Sequence, residues 1–180
     1  SRYGIGTLGA EAYKFADFLA GAGQSAWQIL PLGPTSYGDS PYSSFSANAG
    51  NPYYIDLDML IDDGLLRRAE VEGVDWGGEP MYVDYGKIYE SRFEILRRDA
   101  KEVEAFVEAN RGWLPDYALF MALKRRFGMV SWIEWPDEDA RMRVPEVLDK
   151  YRDELADDIR LFTYAQFLFF RQWDALREYV

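Results

Sequence analysis

Ala26-Trp27-Gln28-Ile29-Leu30-Pro31 runs directly into Leu32-Gly33-Pro34-Thr35-Ser36-Tyr37-Gly38-Asp39-Ser40-Pro41-Tyr42, and then through Ser44-Phe45-Ser46-Ala47 and Ala49-Gly50-Asn51-Pro52-Tyr53-Tyr54 to Leu57. Residues 26–30 read as a buried strand that Pro31 ends, because proline cannot donate to a ladder. On their N-terminal side, Phe15, Phe18, Leu19 and Ala22 recur at i, i+3, i+4 and i+7, which predicts a helix from Glu11 to Ala22. Gly21 and Gly23 close it. Helix, short turn and buried strand predict an α/β arrangement. The segment that follows has neither a helical nor a strand period. Long irregular segments in compact domains are functional or disordered, and disordered chain is poor in aromatics. Tyr37, Tyr42, Phe45, Tyr53 and Tyr54 therefore point to an ordered loop, a ligand-binding rim at the end of a strand.

Composition narrows the chemistry. The 180 residues, 48% hydrophobic, are enough for one domain with a core. Histidine and cysteine are both absent. That excludes Ser-His and Cys-His nucleophiles, disulfides and the common zinc sites, and it fits a reducing, cytoplasmic compartment. Any chemistry runs on carboxylates, tyrosine, lysine or backbone groups. A formal net charge of −11 repels phosphate backbones, which argues against nucleic acid, whereas a neutral, hydroxyl-rich substrate is indifferent to it. No apolar run approaches a membrane span. Gly4, Gly6 and Gly9 follow no strand and have the wrong spacing for a dinucleotide fingerprint.

Beyond the loop the pattern is helical. A short helix is expected from Asp58 to Leu66, then a polar, glycine-rich stretch from Arg67 to Met81. Asp84 reads as the N-cap of a helix from Tyr85 to about Ala100. Val103 to Ala109 is another short helix, and Pro115 opens one that runs to Gly128. Trp132, Trp135 and Pro136 form a turn, Asp137-Glu138-Asp139 read as a helix N-terminus, and Pro145 starts a further helix. A long helix from about Asp153 carries the stripe Leu161, Phe162, Ala165, Phe169, Trp173 and Leu176. A lone strand cannot satisfy its own ladder groups. The last helix is still periodic at Leu176, Tyr179 and Val180. The expectation is therefore a segment of a longer protein whose other strands flank residues 26–30.

The loop motif, the preceding Trp27-Gln28-Ile29-Leu30-Pro31 and the opening Gly4-Ile5-Gly6-Thr7-Leu8-Gly9 resemble the 4-alpha-glucanotransferases (amylomaltases, or disproportionating enzymes) of glycoside hydrolase family 77. So do Asp116 to Lys124, Trp132 to Pro136, and Gln166-Phe167 with Phe170, Gln172 and Trp173. The resemblance covers nearly the whole chain and is densest in the loop. It implies the N-terminal part of a (β/α)8 barrel, incomplete here, with a large, mostly helical insertion. In that division residues 1–66 start the barrel and hold the glucan-binding loop 31–57, residues 67–152 are the insertion, and residues 153–180 form a long helix packing on the barrel. It also implies transfer of α-1,4-glucan segments between maltooligosaccharides, in starch, glycogen and maltose metabolism, by a retaining double displacement that needs no cofactor or metal. The carboxylates of that mechanism lie beyond Val180 in the family, so the resemblance places no catalytic residue in this chain.

Carried over by position, Tyr42 stacks on the sugar at the cleavage subsite and Ser40 bonds glucan hydroxyls. Asp39 and Asn51 brace the loop. Tyr37 and Tyr85 belong to an outer glucan surface. The partners implied are an α-1,4-glucan and the remainder of the protein's own barrel. The residues alone leave alternatives. The Tyr42 ring could pack in the loop with its hydroxyl on backbone. Ser40, held extended by Pro41, could project its hydroxyl or make a local turn bond. Asp39 between Gly38 and Ser40 suits Asx-type turn bonding rather than catalysis, and Asp56/Asp58 suit capping. Trp132 and Trp135 suit packing more than sugar stacking. At the level of the whole chain, the rivals are a non-catalytic glucan-binding module and a helical interaction segment.

Overall fold

The computed structural model describes residues 2–35, 38–79, 81–97 and 103–180. The chain divides into two compact units, Ser1–Arg97 with Gln166–Val180, and Arg98–Ala165.

In the first unit, α1 spans Ala10–Gly21, α2 Leu57–Asp62 and α3 Tyr85–Leu96. Two of these starts are fixed by side-chain caps. The Asp56 carboxylate accepts from Met59 N–H at 2.9 Å and Asp84 from Lys87 N–H at 3.2 Å, satisfying donors that the first turn leaves open. Asp56 also accepts from the Thr7 hydroxyl at 2.5 Å. A Cβ on Gly9 would fall 2.1 Å from Asp56 Oδ2, so the α1 start can approach this carboxylate only as glycine. The expected end of α3 near Ala100 lies outside the described residues. The stretch from Arg67, aperiodic in sequence, is anchored by Val71 and Trp76, both buried.

The strand expected over residues 26–30 is absent. Among the described residues no segment pairs with it, and the single ladder contact is the isolated bridge between Thr35 and Ser44. A strand exists only by exchanging backbone hydrogen bonds with a neighbour, and residues 21–26 and 28–31 are exposed instead. Of the α/β expectation, the described residues show the helical part: their regular elements are all helices. The α1 stripe is also corrected. Phe18 is 65% exposed, and Phe15 is 43% exposed with its ring 5.1 Å from Trp27. Phe15 and Trp27, with Ile29, Trp173 and Leu176, line a cleft of about 500 Å³.

The core of this unit forms between residues 49–60, α3 and the C-terminal part of α8, which spans Ala156–Tyr179. Ile55, Leu57, Ile88, Leu96, Leu168 and Phe169 are buried there. So are three polar side chains that bond the irregular backbone between Gly50 and Asp56. The Gln166 amide accepts from Gly50 N–H and donates to Gly50 C=O, both at 2.8 Å. Gln172 does the same at Asp56, at 2.7 and 3.0 Å. Arg92 donates to the Ile55 carbonyl at 3.0 Å while its guanidinium lies 5.2 Å from the centre of the Trp76 ring. Burial pushes its pKa down to about 10, opposed by the charge of Asp56, so it stays cationic at neutral pH.

In the second unit, α4 spans Glu104–Ala109, α5 Leu114–Arg126, α6 Glu138–Arg141 and α7 Pro145–Glu154. Leu119, Leu123, Trp135 and Leu148 form its core, with Phe120, Phe127 and Tyr151 against it. Trp135 therefore packs, whereas Trp132 is half exposed. Asp137 caps α6 at Ala140 N–H and accepts from the Tyr151 hydroxyl at 2.7 Å.

Gly50 has no room for a side chain: a Cβ would lie 2.0 Å from Phe169 Cδ1. Gly50→Ala is expected to destabilise the protein by about 1–3 kcal/mol through overpacking, read by urea unfolding. Combining it with Phe169→Leu should cost less than the sum of the two single changes.

Candidate functional site

The loop is built as a closed neck carrying a short tip. At the neck, Asn51 N–H donates to the Leu32 carbonyl at 2.8 Å, and Asn51 Oδ1 accepts from Tyr53 N–H at 3.0 Å, starting the 3-10 turn Pro52–Tyr54. Further out, Thr35 and Ser44 bridge. Gly33 sits so near this bridge that a Cβ would lie 2.8 Å from Ser44 Oγ. Two serines brace the returning limb. Ser44 Oγ donates to the Ser46 carbonyl at 2.8 Å, and Ser46 Oγ accepts from Asn48 and Ala49 N–H at 3.3 and 3.0 Å. Short hydroxyl side chains make such local bonds at little entropic cost, which is why they populate turns.

The tip turns through Gly38 and Asp39, both left-handed, at φ 84° and 53°. Asp is among the few residues other than glycine that adopt this region readily. Asp39 Oδ1 accepts from the Thr35 hydroxyl at 3.3 Å. Ser40 Oγ accepts from Tyr42 N–H at 3.3 Å and Ser40 C=O from Ser43 N–H at 3.0 Å. The local turn bond open to Ser40 is thus made. A hydroxyl has one donor and two acceptor positions, so the side chain keeps capacity for a ligand. Tyr42 does not pack in the loop: it is 75% exposed. Tyr37 lies outside the described residues.

Beneath the tip is an aromatic group. Tyr85, the first residue of α3, is half-buried with its ring 6.2 Å from that of Tyr53; Tyr53 is 6.2 Å from Phe93, and Tyr89 is 5.7 Å from Phe93. Burial, then the negative charge of Asp39, pushes the pKa of both the Tyr53 and the Tyr85 phenol up. The fold thus brings Tyr85 within electrostatic range of Asp39 across 46 residues of sequence. Among the described residues no group of three or more acidic side chains could hold a metal ion.

A family model described as 4-alpha-glucanotransferase, glycoside hydrolase family 77, matches residues 1–180. The chain belongs to that family. It is 48% identical to a 4-alpha-glucanotransferase of Streptococcus pneumoniae over 98% of this chain and 37% of that protein. It is 45% identical to the enzyme of Thermus thermophilus over 97% of this chain and 36% of that one. In structure it matches the amylomaltase of Streptococcus agalactiae in complex with acarbose with a TM-score of 0.93 and 39% identity, over 99% of this chain and 38% of that one. The chain therefore spans little more than a third of the length of these 4-alpha-glucanotransferases.

Residue patterns did not show how the root of the loop is held. Gln166 and Gln172 were legible as matches to the family but not as ligands of the loop backbone. Their one available signal was a pair of amides six residues apart on the apolar side of a helix.

Replacing Asp39 by Asn removes the charge that disfavours the phenolates. Tyr53 and Tyr85 are expected to ionise at lower pH in Asp39→Asn than in the parent protein, a shift read from tyrosinate absorbance in an alkaline titration. An unchanged profile would show that the tip does not reach these rings.

Proposed function

We propose that this chain is the N-terminal, glucan-binding portion of a 4-alpha-glucanotransferase that moves α-1,4-glucan segments between maltooligosaccharides by a retaining double displacement. The observation that carries this reading is the exposed Tyr42 ring on a loop stiffened by its own hydroxyls, in a chain of this family. An aromatic face presented to solvent on a rigid support suits the apolar face of a pyranose, because little freedom is lost on stacking. Tyr42 stacks on the sugar at the cleavage subsite, Ser40 bonds neighbouring hydroxyls, and Tyr37 with Tyr85 forms an outer glucan surface. The similar Streptococcus agalactiae enzyme binding acarbose supports a saccharide ligand.

The two carboxylates that retaining transfer requires come from elsewhere in the complete protein. The loop's own acids are engaged in structure: Asp39 with the Thr35 hydroxyl, and Asp56 with the α2 cap and Thr7. Residues 1–66 begin a (β/α)8 barrel, residues 67–152 are its helical insertion and residues 153–180 return to it. The exposed backbone of residues 28–31 and the cleft lined by Phe15, Trp27 and Trp173 are where the remainder of the barrel pairs and packs. With no cysteine, and no helix among the described residues long and apolar enough to cross a membrane, the reading includes a cytoplasmic protein.

In the complete protein, Tyr42→Ala should lower kcat/KM for disproportionation of maltotriose by about tenfold or more, equivalent to about 1.4 kcal/mol, with no change in melting temperature because the ring is exposed. Unchanged turnover would defeat the assignment.

A further inference from the structure

We infer that Gln166 is a positioning residue for the glucan-binding loop, acting through the backbone of Gly50, with Gln172 at Asp56 as the second anchor. The inference rests on the reading of the loop as a glucan wall. It adds which residues set the position of that wall, and they lie more than a hundred positions away in sequence on a different element.

The geometry has three parts. First, each amide exchanges two hydrogen bonds with one residue, accepting from its N–H and donating to its C=O. This is the pattern of a hydrogen-bonded pair in an antiparallel ladder, supplied here by side chains. Gly50 and Asp56 are six residues apart, as are Gln166 and Gln172, so one helix fixes the two ends of the irregular segment that contains the 3-10 turn Pro52–Tyr54. Second, both amides are buried, Gln166 at 0% and Gln172 at 3% exposure. In such surroundings the bonds are strong and their loss leaves buried donors and acceptors unsatisfied. Third, a continuous relay leads from Gly50 to Tyr42. Asn51 closes the neck on Leu32, Ser46 holds the backbone at Asn48 and Ala49, Ser44 bonds Ser46 and bridges to Thr35, and Ser43 bonds Ser40. Each joint is local and short, so a displacement of Gly50 is carried to the tip instead of being absorbed on the way. The Phe169 ring, packed where a Gly50 side chain would be, blocks movement toward α8.

The role is separable from stability by coupling. In the complete protein, KM and kcat for maltotriose and the melting temperature are measured for the parent, Gln166→Met, Tyr42→Ala and the double variant. Methionine keeps the volume and removes both bonds. Gln166→Met is expected to raise KM about tenfold, the scale of losing one well-placed contact. In the double variant KM should rise no further than in the more severe single variant, because the contact that Gln166 positions is already gone. Independent effects that multiply would overturn the proposal. So would a lowered melting temperature with KM unchanged, the signature of a merely structural residue. If Tyr42→Ala alone changes neither KM nor kcat, the glucan reading of the loop fails and takes the proposal with it. If Tyr42→Ala has its effect and Gln166→Met has none, the positioning role alone fails. Should the methionine variant not fold, Gln166→Asn, which keeps the amide but is one methylene short of Gly50, enters the same cycle with the same outcomes.

Discussion

Irregular backbone inside a protein must find hydrogen-bond partners, and in this chain two glutamines of one helix provide them. Residues 50–56 belong neither to a helix long enough to satisfy itself nor to a sheet, yet most of them are buried. Left unpaired, each buried peptide group would cost about 1–3 kcal/mol. Gln166 and Gln172 satisfy Gly50 and Asp56, Arg92 satisfies Ile55, and Leu8 N–H satisfies Tyr54 at 2.9 Å. Once this segment is held, the α2 cap at Asp56, the neck at Asn51 and the packing of Phe169 follow from it.

The arrangement explains how a loop of small and polar residues presents an exposed aromatic ring. Tyr42 has no packing of its own to hold it. Its position comes from turn bonds beneath it, and theirs from the clamped root. Aromatic surface in this region is divided between two tasks: Tyr53, Phe93 and Tyr89 pack, while Tyr42 faces solvent and Tyr85 lies between. Asp39 fits the same economy. Its left-handed backbone turns the tip, its carboxylate takes the Thr35 hydroxyl, and its charge adds to the effect of burial in raising the pKa of the Tyr53 and Tyr85 phenols.

Much of the helical framework is legible in the chain because its determinants are local. Asp56, Asp84 and Asp137 cap helices, as short acidic side chains before apolar periods do. Pro145 stands at a first helical position. The apolar period of residues 161–176 gives the long helix. The same reasoning failed for residues 26–30 and for the face of α1. An apolar run predicts that burial is needed, but burial and ladder pairing are properties of a partner, and no described segment pairs with residues 26–30. Trp132 and Trp135 make a similar point: alike in sequence, one is core and the other half exposed.

Sequence by itself determined the family, through the motif from Leu32 to Tyr53. It also marked the helix starts at Asp56, Asp84, Asp137 and Pro145, since each depends on residues within a turn of one another. Tertiary structure alone decided that Gln166 and Gln172 grip the root of the loop, that Arg92 is buried on Trp76, and that the charge of Asp39 acts on Tyr53 and Tyr85. Those contacts join residues 14 to 116 positions apart. A buried amide has the same local signature whether it bonds its own helix, water or a distant backbone, so only the folded chain distinguishes them.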